Sequence, residues 1–434
     1  MDIRFSLAKA ACKACAIASR VLGKNGSSLP GQMALKIDPC AIEKQAKIIK
    51  KKIIVVTGTN GKTSTNNILA QALLQNGNRV VSNYEGSNML TGIATSLLLY
   101  KGDADYACFE VDEAYTRLLF KKIQPDVFLI TNLFSDQADR FGKEGPIKYI
   151  REAIDLSPNT KLILNGNDPA TVLLGENHDA DYFIYQHETN PHSTKVSCPI
   201  CGQLLAYQAE YYDHIGIFSC SCGYKSPQAT YQADRIDFSV PGEVSFSFEN
   251  IPYKINRVAP YHVFNTCMAL SCMSYLKENM DGVQEALERV QKLPGRMEGF
   301  ELSHPVILNM AKNPAGFNQS IDIVLRDERK KAILIGVNDY APDGIDVSWI
   351  WDVAFEKLFL DATTQIILYG TRANALAVRM KYTDCPCPFI VISDAKKAID
   401  ALDANECDAM YILANYTATF ELRDVLLSKQ KKIK

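Results

Sequence analysis

The chain has 434 residues, 47% hydrophobic and 22% charged, and its 47 Lys and Arg are balanced by 49 Asp and Glu for a net charge of −2. That is globular composition for two to four domains. It excludes collagen-like, disordered and membrane-spanning classes, and any protein that holds nucleic acid by bulk positive charge.

Residues 5–18 (FSLAKAACKACAIA) are apolar and small, but Lys9 and Lys13 interrupt the run. No stretch of about 20 apolar residues exists to span a bilayer, and a secretory h-region would not carry those lysines. An amphipathic helix in a cytoplasmic protein is expected. Thirteen cysteines fit that compartment as thiols or metal ligands rather than disulfides.

A strand–helix alternation begins at residue 51. KKIIVV is a continuous apolar run after two lysines, as expected of a parallel strand covered on both faces. A helix follows from Lys62 to about Gln75, with Gly77 just past its end. Further apolar runs at 106–111 (YACFEV), 126–131 (DVFLIT) and 161–165 (KLILN), separated by helical segments, predict a doubly wound α/β core with a parallel sheet. The alternation breaks near residue 187, and 188–228 reads as a polar, cysteine-bearing loop. Three strand-like pieces follow (TYQADRIDFSV, EVSFSFEN and IPYKINRV), then helical stretches around 262–278 and 282–292, and a linker, LPGRMEG, at 293–299. The runs VILNM, KAILIGV, QIILYG, FIVI and MYILA then predict a second, smaller α/β domain. The expected organisation is an N-terminal helical or extended segment (1–50), a P-loop α/β domain (51–297) carrying an insert at about 194–226, and a C-terminal α/β domain (298–434).

The strongest chemical signal is Val56-Thr57-Gly58-Thr59-Asn60-Gly61-Lys62-Thr63-Ser64-Thr65, which closes a buried strand and opens a helix. That is the setting a phosphate-binding loop requires. The glycines let backbone N–H groups turn toward phosphate oxygens, and the helix N-terminus adds its positive end. Lys62 is expected to reach the β- and γ-phosphates and the Thr63 hydroxyl to ligate Mg²⁺.

The second signal is Cys198-Pro199-Ile200-Cys201-Gly202 with Cys220-Ser221-Cys222-Gly223. The first pair is a zinc knuckle; the second is C-x-C, tighter than the usual C-x-x-C. Four thiolates satisfy one tetrahedral site with no open position, so the zinc is expected to be structural. His214, inside the same loop, is an alternative ligand. No basic-aromatic stripe accompanies the ribbon, so nucleic acid is not expected. Cys385-Pro386-Cys387 lacks a partner pair and reads as structural.

GTNGKTST resembles the ATP loop of the Mur ligase family, which includes folylpolyglutamate synthetase, and further motifs follow in the family's order. Glu110 matches the family glutamate that binds Mg²⁺. Residues 131–142 (TNLFSDQADRFG) resemble T-N-x-x-x-D-H-x-D-R-x-G, with Gln137 in place of the histidine. Asn165-Gly166-Asn167-Asp168-Pro169 resembles N-x-D-D-P. His262-Val263-Phe264-Asn265 resembles H-x-x-N, whose asparagine faces the nucleotide. Gly295-Arg296-Met297-Glu298 matches G-R-[MF]-E, whose arginine contacts ATP phosphates, and Lys312-Asn313-Pro314 stands where the family has H-N-P. The resemblance covers about residues 50–434. It implies an ATP site of Gly58, Thr59, Asn60, Gly61, Lys62, Thr63, Ser64, Asn265 and Arg296, with Mg²⁺ on Thr63 and Glu110. The implied chemistry is activation of a carboxylate as an acyl-phosphate.

A Cys₄ ribbon inside such a domain resembles one branch, the ligase subunits of lipid II isoglutaminyl synthase (MurT). Asn88-Met89-Leu90-Thr91-Gly92, Lys312–Asn318 and Asp343–Asp352 resemble it too. That implies amidation of the D-glutamate α-carboxylate in the lipid II stem peptide, at the cytoplasmic membrane surface, with ammonia from a GatD-like glutaminase in a heterodimer or higher assembly. Consistently, no G-x-C-x-G nucleophile elbow is present, so the nitrogen comes from another chain or from free ammonium. In that branch a C-terminal aspartate completes the partner's Cys-His pair by fixing the imidazole tautomer. Asp343, Asp346 and Asp352 are the candidates, and Asp346 is favoured because it lies in the polar loop before Trp349. The rival expectations are a stand-alone ligase that adds an amino acid and a P-loop switch or nucleic-acid module.

Overall fold

The computed structural model describes residues 2–21, 26–84, 87–134, 145–187, 195–238, 243–255, 260–290, 294–344, 346–383 and 386–433. It divides into two compact units, Met1–Asn256 with Pro260–Val290, and Arg257–Ala259 with Gln291–Lys434.

The first unit is built on β1 (Ile49–Thr57), β2 (Val80–Ser82), β3 (Ala104–Glu110), β4 (Val127–Ile130), β5 (Lys161–Asn165), β6 (Ala180–Tyr185), β7 (Ala206–Tyr212), β8 (Ile215–Ser219), β9 (Tyr231–Asp237), β10 (Val244–Phe248) and β11 (Ile251–Ile255). Nine of these form one sheet in the order β11-β10-β9-β6-β5-β4-β1-β3-β2. Pairing is parallel from β2 through β9, and β10 and β11 close it antiparallel. Val55, Phe109, Phe128, Leu162 and Leu164 belong to one core cluster, while Ile54, Cys108, Leu129 and Ile163 on alternate positions are also buried. Burial on both faces is why these strands read as unbroken apolar runs. Helices Ile3–Val21, Leu29–Ile37, Leu90–Leu99, Glu113–Phe120 and Gly145–Leu156 contribute to that cluster, and helix Lys62–Gln75 packs against Pro260–Tyr275 and Val283–Val290.

Two features differ from the pattern reading. The stretch expected to be a loop contains the antiparallel hairpin β7–β8, whose turn residue Asp213 takes φ 50°, a left-handed conformation that Asp tolerates. The sheet also includes β2 and β6, which the sequence pattern did not signal; β2 is only three residues long.

The second unit holds β12 (Glu298–Glu301), β13 (Pro305–Met310), β14 (Lys331–Gly336), β15 (Thr363–Tyr369), β16 (Phe389–Ile392) and β17 (Ala409–Ala414) in the order β12-β13-β17-β14-β15-β16. Only β12 runs antiparallel. β14 and β17 are buried along their whole length.

Candidate functional site

Open parallel sheets bind ligands beyond the carboxyl ends of their strands, and the glycine-rich loop leaves β1 at that end. Gly58 and Gly61 adopt φ 127° and 85°. A Cβ at Gly58 would lie 2.3 Å from Thr131 Oγ1, and one at Gly61 would lie 2.0 Å from Asn265 Oδ1. Both positions therefore need glycine for conformation and for space. Helix Lys62–Gln75 starts without a side-chain cap, so its leading N–H groups are left for an anion. These features fit ATP phosphates. Thr63 and Ser64 are half-buried in that first turn.

Lys62 is buried, and its Nζ donates to the carbonyls of Gly58 and Thr59 and to the Glu113 carboxylate at 3.3 Å. Burial alone pulls the ammonium pKa down. The carboxylates of Glu113, Glu110 and Asp112 more than offset this, so it stands above its usual value. Glu110 ends β3 opposite Val56 of β1. Its backbone is pinned on both sides by Asn83, whose Oδ1 accepts from Glu110 N at 2.9 Å and whose Nδ2 donates to Glu110 O at 2.8 Å. Glu113 escaped the sequence reading; the only available signal was its place three residues beyond Glu110 in EVDE.

Asn132 escaped it as well, although it is the second residue of the T-N motif at 131–132. Its backbone carbonyl accepts from Thr59 N at 2.8 Å, and its side chain accepts from Asn60 N at 2.9 Å and donates to Asn60 O at 3.0 Å. Thr131 Oγ1 donates to Asn60 O at 2.7 Å. Asn265 is buried in the helix Pro260–Tyr275, where its carbonyl accepts from Thr65 Oγ1 at 3.1 Å. Gly58, Thr59, Asn60, Gly61, Lys62, Thr63, Ser64 and Asn265 thus come together in one unit around the end of β1. Gln137 lies outside the described residues.

Arg296 belongs to the second unit, half-buried, with Nη1 3.5 Å from the Met310 carbonyl. The next motif residues build the local frame: Glu298 accepts from Gly295 N at 2.7 Å and pairs with Arg423 at 2.7 Å. Asn313 caps helix Pro314–Arg326 by accepting from Gly316 N at 2.8 Å. The three aspartates separate. Asp343 accepts from Thr417 N at 2.9 Å and is held at the start of helix Tyr416–Ile433. Asp346 is exposed and accepts from Ser348 N at 2.8 Å. Asp352 is exposed at the end of a single 3₁₀ turn, Ser348–Asp352. In the same unit Trp351 and Tyr382 are 48% and 76% exposed, their rings 5.4 Å apart.

The four cysteines converge. Their Sγ atoms all lie within 4.8 Å of one another, with Cys198–Cys222 at 3.7 Å and Cys201–Cys220 at 3.5 Å. These separations are too long for disulfides and close to the S···S edge of about 3.8 Å that Zn–S bonds of about 2.3 Å impose on a tetrahedron. The shortened second pair is accommodated by a tighter turn. Gly202 N donates to Cys198 O four residues back, whereas Gly223 N donates to Cys220 O three residues back. Glycines at φ 77° and 95° complete the two turns. The donor set fits zinc as a closed structural site. His214 is not part of it: its Nε2 lies 3.3 Å from Asp168 Oδ1 and its Nδ1 3.4 Å from Asp213 Oδ1. The β7–β8 turn carries the imidazole to the core rather than to the thiolates. Of the later pair, Cys385 lies outside the described residues, and Cys387 Sγ is 3.8 Å from the Thr363 carbonyl.

Residues 56–198 match the Mur ligase middle domain and residues 310–419 the MurT ligase C-terminal domain. The chain is 34% identical over 401 residues, 90% of each chain, to "Lipid II isoglutaminyl synthase (glutamine-hydrolyzing) subunit MurT" of Staphylococcus aureus. It is 31% identical to the same-named subunit of Streptococcus pneumoniae over 93% of each. The chain belongs to the MurT family of Mur ligases. It is therefore a ligase, and the family fold extends to more distant structures. A pseudomurein peptide ligase type C from Methanothermus fervidus superposes with a TM-score of 0.71 at 22% identity, covering 89% of this chain and 79% of that one. MurF from Acinetobacter baumannii superposes at 0.67 and 17%, covering 92% and 80%.

In this MurT-family chain the cysteine insert reaches back to the phosphate loop. Asp168, fully buried, accepts from Leu133 N at 2.7 Å and from Ala170 N at 2.8 Å. The next residue, Phe134, donates its N–H to Thr59 Oγ1 at 3.0 Å. The hairpin tip packs on the same place: the rings of His214 and Tyr212 lie 4.7 and 6.3 Å from that of Phe134, and Tyr212 lies 5.4 Å from Phe264 beside Asn265. Sequence alone gave no signal for this docking.

Proposed function

We propose that this chain is the ATP-using subunit of a two-chain amidotransferase that converts the α-carboxylate of D-glutamate in the lipid II stem peptide to the amide, on the cytoplasmic face of the membrane. The observation that carries this is the phosphate loop with buried Lys62 at the end of β1, in a chain that matches lipid II isoglutaminyl synthase subunits over nine-tenths of its length. No helix among the described residues is long and apolar enough to cross a membrane.

In this reading a carboxylate oxygen of the substrate attacks the γ-phosphorus of ATP, and ADP departs with the electron pair of the broken bond. Ammonia then attacks the acyl carbon, phosphate leaves, and the surplus proton passes to solvent. Lys62 neutralises charge growing on the transferred phosphoryl group, and the family motif gives Arg296 the same task. Thr63 and Glu110 are the residues for Mg²⁺, which when bound would draw charge from the phosphate oxygens. Asp346, exposed in the loop before Trp349, is the residue we assign to a glutaminase partner, where it would orient a histidine.

The test is amidation of a short-chain lipid II analogue by the purified chain with ATP and Mg²⁺, first with ammonium and then with glutamine and the glutaminase subunit. Mass spectrometry should show the hydroxyl-to-amine exchange in both, and glutamine should be used only when the partner is present. Addition of a whole amino acid without a partner would mean a stand-alone ligase instead.

A further inference from the structure

Helix Ile3–Val21 is apolar on two opposite faces. Ala8, Cys12, Ala16 and Ser19 are buried against the unit. On the far side Ile3, Leu7, Ile17 and Val21 are 75%, 59%, 64% and 81% exposed, and Ala10 and Ala14 between them are exposed too. These six positions alternate spacings of four and three, so they form one straight stripe roughly 80° wide at about 100° per residue. Lys13 and Arg20, both exposed, border it on one side and Arg4, also exposed, on the other. In the adjoining helix Leu29–Ile37, Leu29 and Met33 are 49% and 41% exposed. Charge is as uneven as polarity. Residues 1–37 contain Arg4, Lys9, Lys13, Arg20, Lys24 and Lys36 against the single acid Asp2, a net of +5, which leaves −7 on the other 397 residues of a chain whose total is −2.

A continuous exposed apolar stripe marks an interaction surface. Pairing with a second copy is disfavoured, because the positions that would face each other across a seam carry like charges. An apolar face bordered on both sides by cations matches the surface of an anionic bilayer, where the side chains enter the acyl boundary and the cations meet lipid phosphates. We propose that the outer face of helix Ile3–Val21 docks this protein in the plane of an anionic membrane. The proposal gives a purpose to the lipid-linked substrate of the reading above and rests on that reading for it; the docking itself is measured without turnover.

The experiment uses the full chain with vesicles of phosphatidylcholine alone and of phosphatidylcholine and phosphatidylglycerol in equal parts, scored by flotation. Binding is expected to the anionic vesicles and to weaken as salt is raised. Lys13→Glu with Arg20→Glu should weaken it about 30-fold or more, two surface cations being lost. Leu7→Gln with Ile17→Gln should abolish it at any salt. These residues are exposed, so zinc content and thermal melting should match the parent chain. In the complex, both double variants should slow amidation of vesicle-embedded substrate and leave turnover of the short-chain analogue unchanged. Absence of vesicle binding by the parent chain overturns the proposal. So does equal binding by parent and variants, or a concentration-dependent dimer that the Leu7→Gln, Ile17→Gln variant abolishes. If the parent complex turns over neither substrate while the vesicle pattern holds, the amidation reading fails and the docking stands.

Discussion

Replacing His214 by Gln tests the anchoring of the cysteine hairpin to the core. The His214 side chain is only 14% exposed. Burial alone would lower its pKa, but the Asp168 and Asp213 carboxylates outweigh burial and push it from 6.5 up to about 10. The folded state thus binds this proton more tightly than the unfolded chain. The stabilisation is complete below the unfolded pKa near 6.5 and is lost as pH rises through about 10. Integrating between those two values at about 1.36 kcal/mol per pKa unit gives about 4 kcal/mol at pH 7 and about 1.5 kcal/mol at pH 9, and the former lies within the range for breaking a buried ion pair. The Gln variant carries no charge at either pH, and its packing loss on Phe134 is the same at both. The stability gap between parent and variant should therefore shrink by about 2.5 kcal/mol from pH 7 to pH 9. Urea unfolding of the zinc-loaded proteins, followed by far-UV circular dichroism, measures it. Both tryptophans, Trp349 and Trp351, lie in the second unit, so their fluorescence transition is an internal control that should coincide in the two proteins. A gap that stays constant or widens at pH 9 would refute the ion pair as the anchor.

Lys62→Met should remove ADP binding in calorimetry and, by leaving Glu113 buried without its cation, cost about 3 kcal/mol of stability. Adding Glu113→Gln should recover the stability but not the binding, and recovery of both would show that Lys62 does not serve the nucleotide. Reduced, freshly purified protein should contain one zinc per chain by elemental analysis, since four thiolates fill one tetrahedron. Cys198→Ser should lower zinc content and melting temperature more than nucleotide affinity, and a zinc-free parent protein would defeat the site. Asp346→Asn keeps shape while removing charge. Glutamine-driven amidation should fall by up to about 10⁴-fold, the loss seen when a triad aspartate becomes Asn, while ammonium-driven amidation persists. Equal loss with both nitrogen sources would place Asp346 in the ligase reaction or the fold instead.

The features the sequence determined are local ones. A buried strand running into Gly-Thr-Asn-Gly-Lys-Thr defines a phosphate loop because strand, turn and helix start are consecutive residues, and the helix ends at Gln75 as Gly77 implies. Alternating apolar runs were enough for two parallel α/β units. Cysteine spacing was enough to nominate four ligands, and even the short C-x-C pair reaches the cluster by tightening one turn. What tertiary structure alone decided involves residues that meet only after the chain has crossed the sheet. Glu113 becomes the counter-ion of Lys62, and Asn132, just beyond the carboxyl end of β4, holds the backbone of Thr59 and Asn60. His214 leaves the thiolates for Asp168, because the β7–β8 hairpin, invisible in a polar stretch with weak alternation, turns its tip toward the core. Asp343, Asp346 and Asp352 look alike in sequence, and only folding separates the one bound to the Thr417 backbone from the two left at the surface. Hydrophobic period and turn chemistry act over a few residues, whereas the partner of a buried charge is set by strand order and burial, which no local pattern encodes.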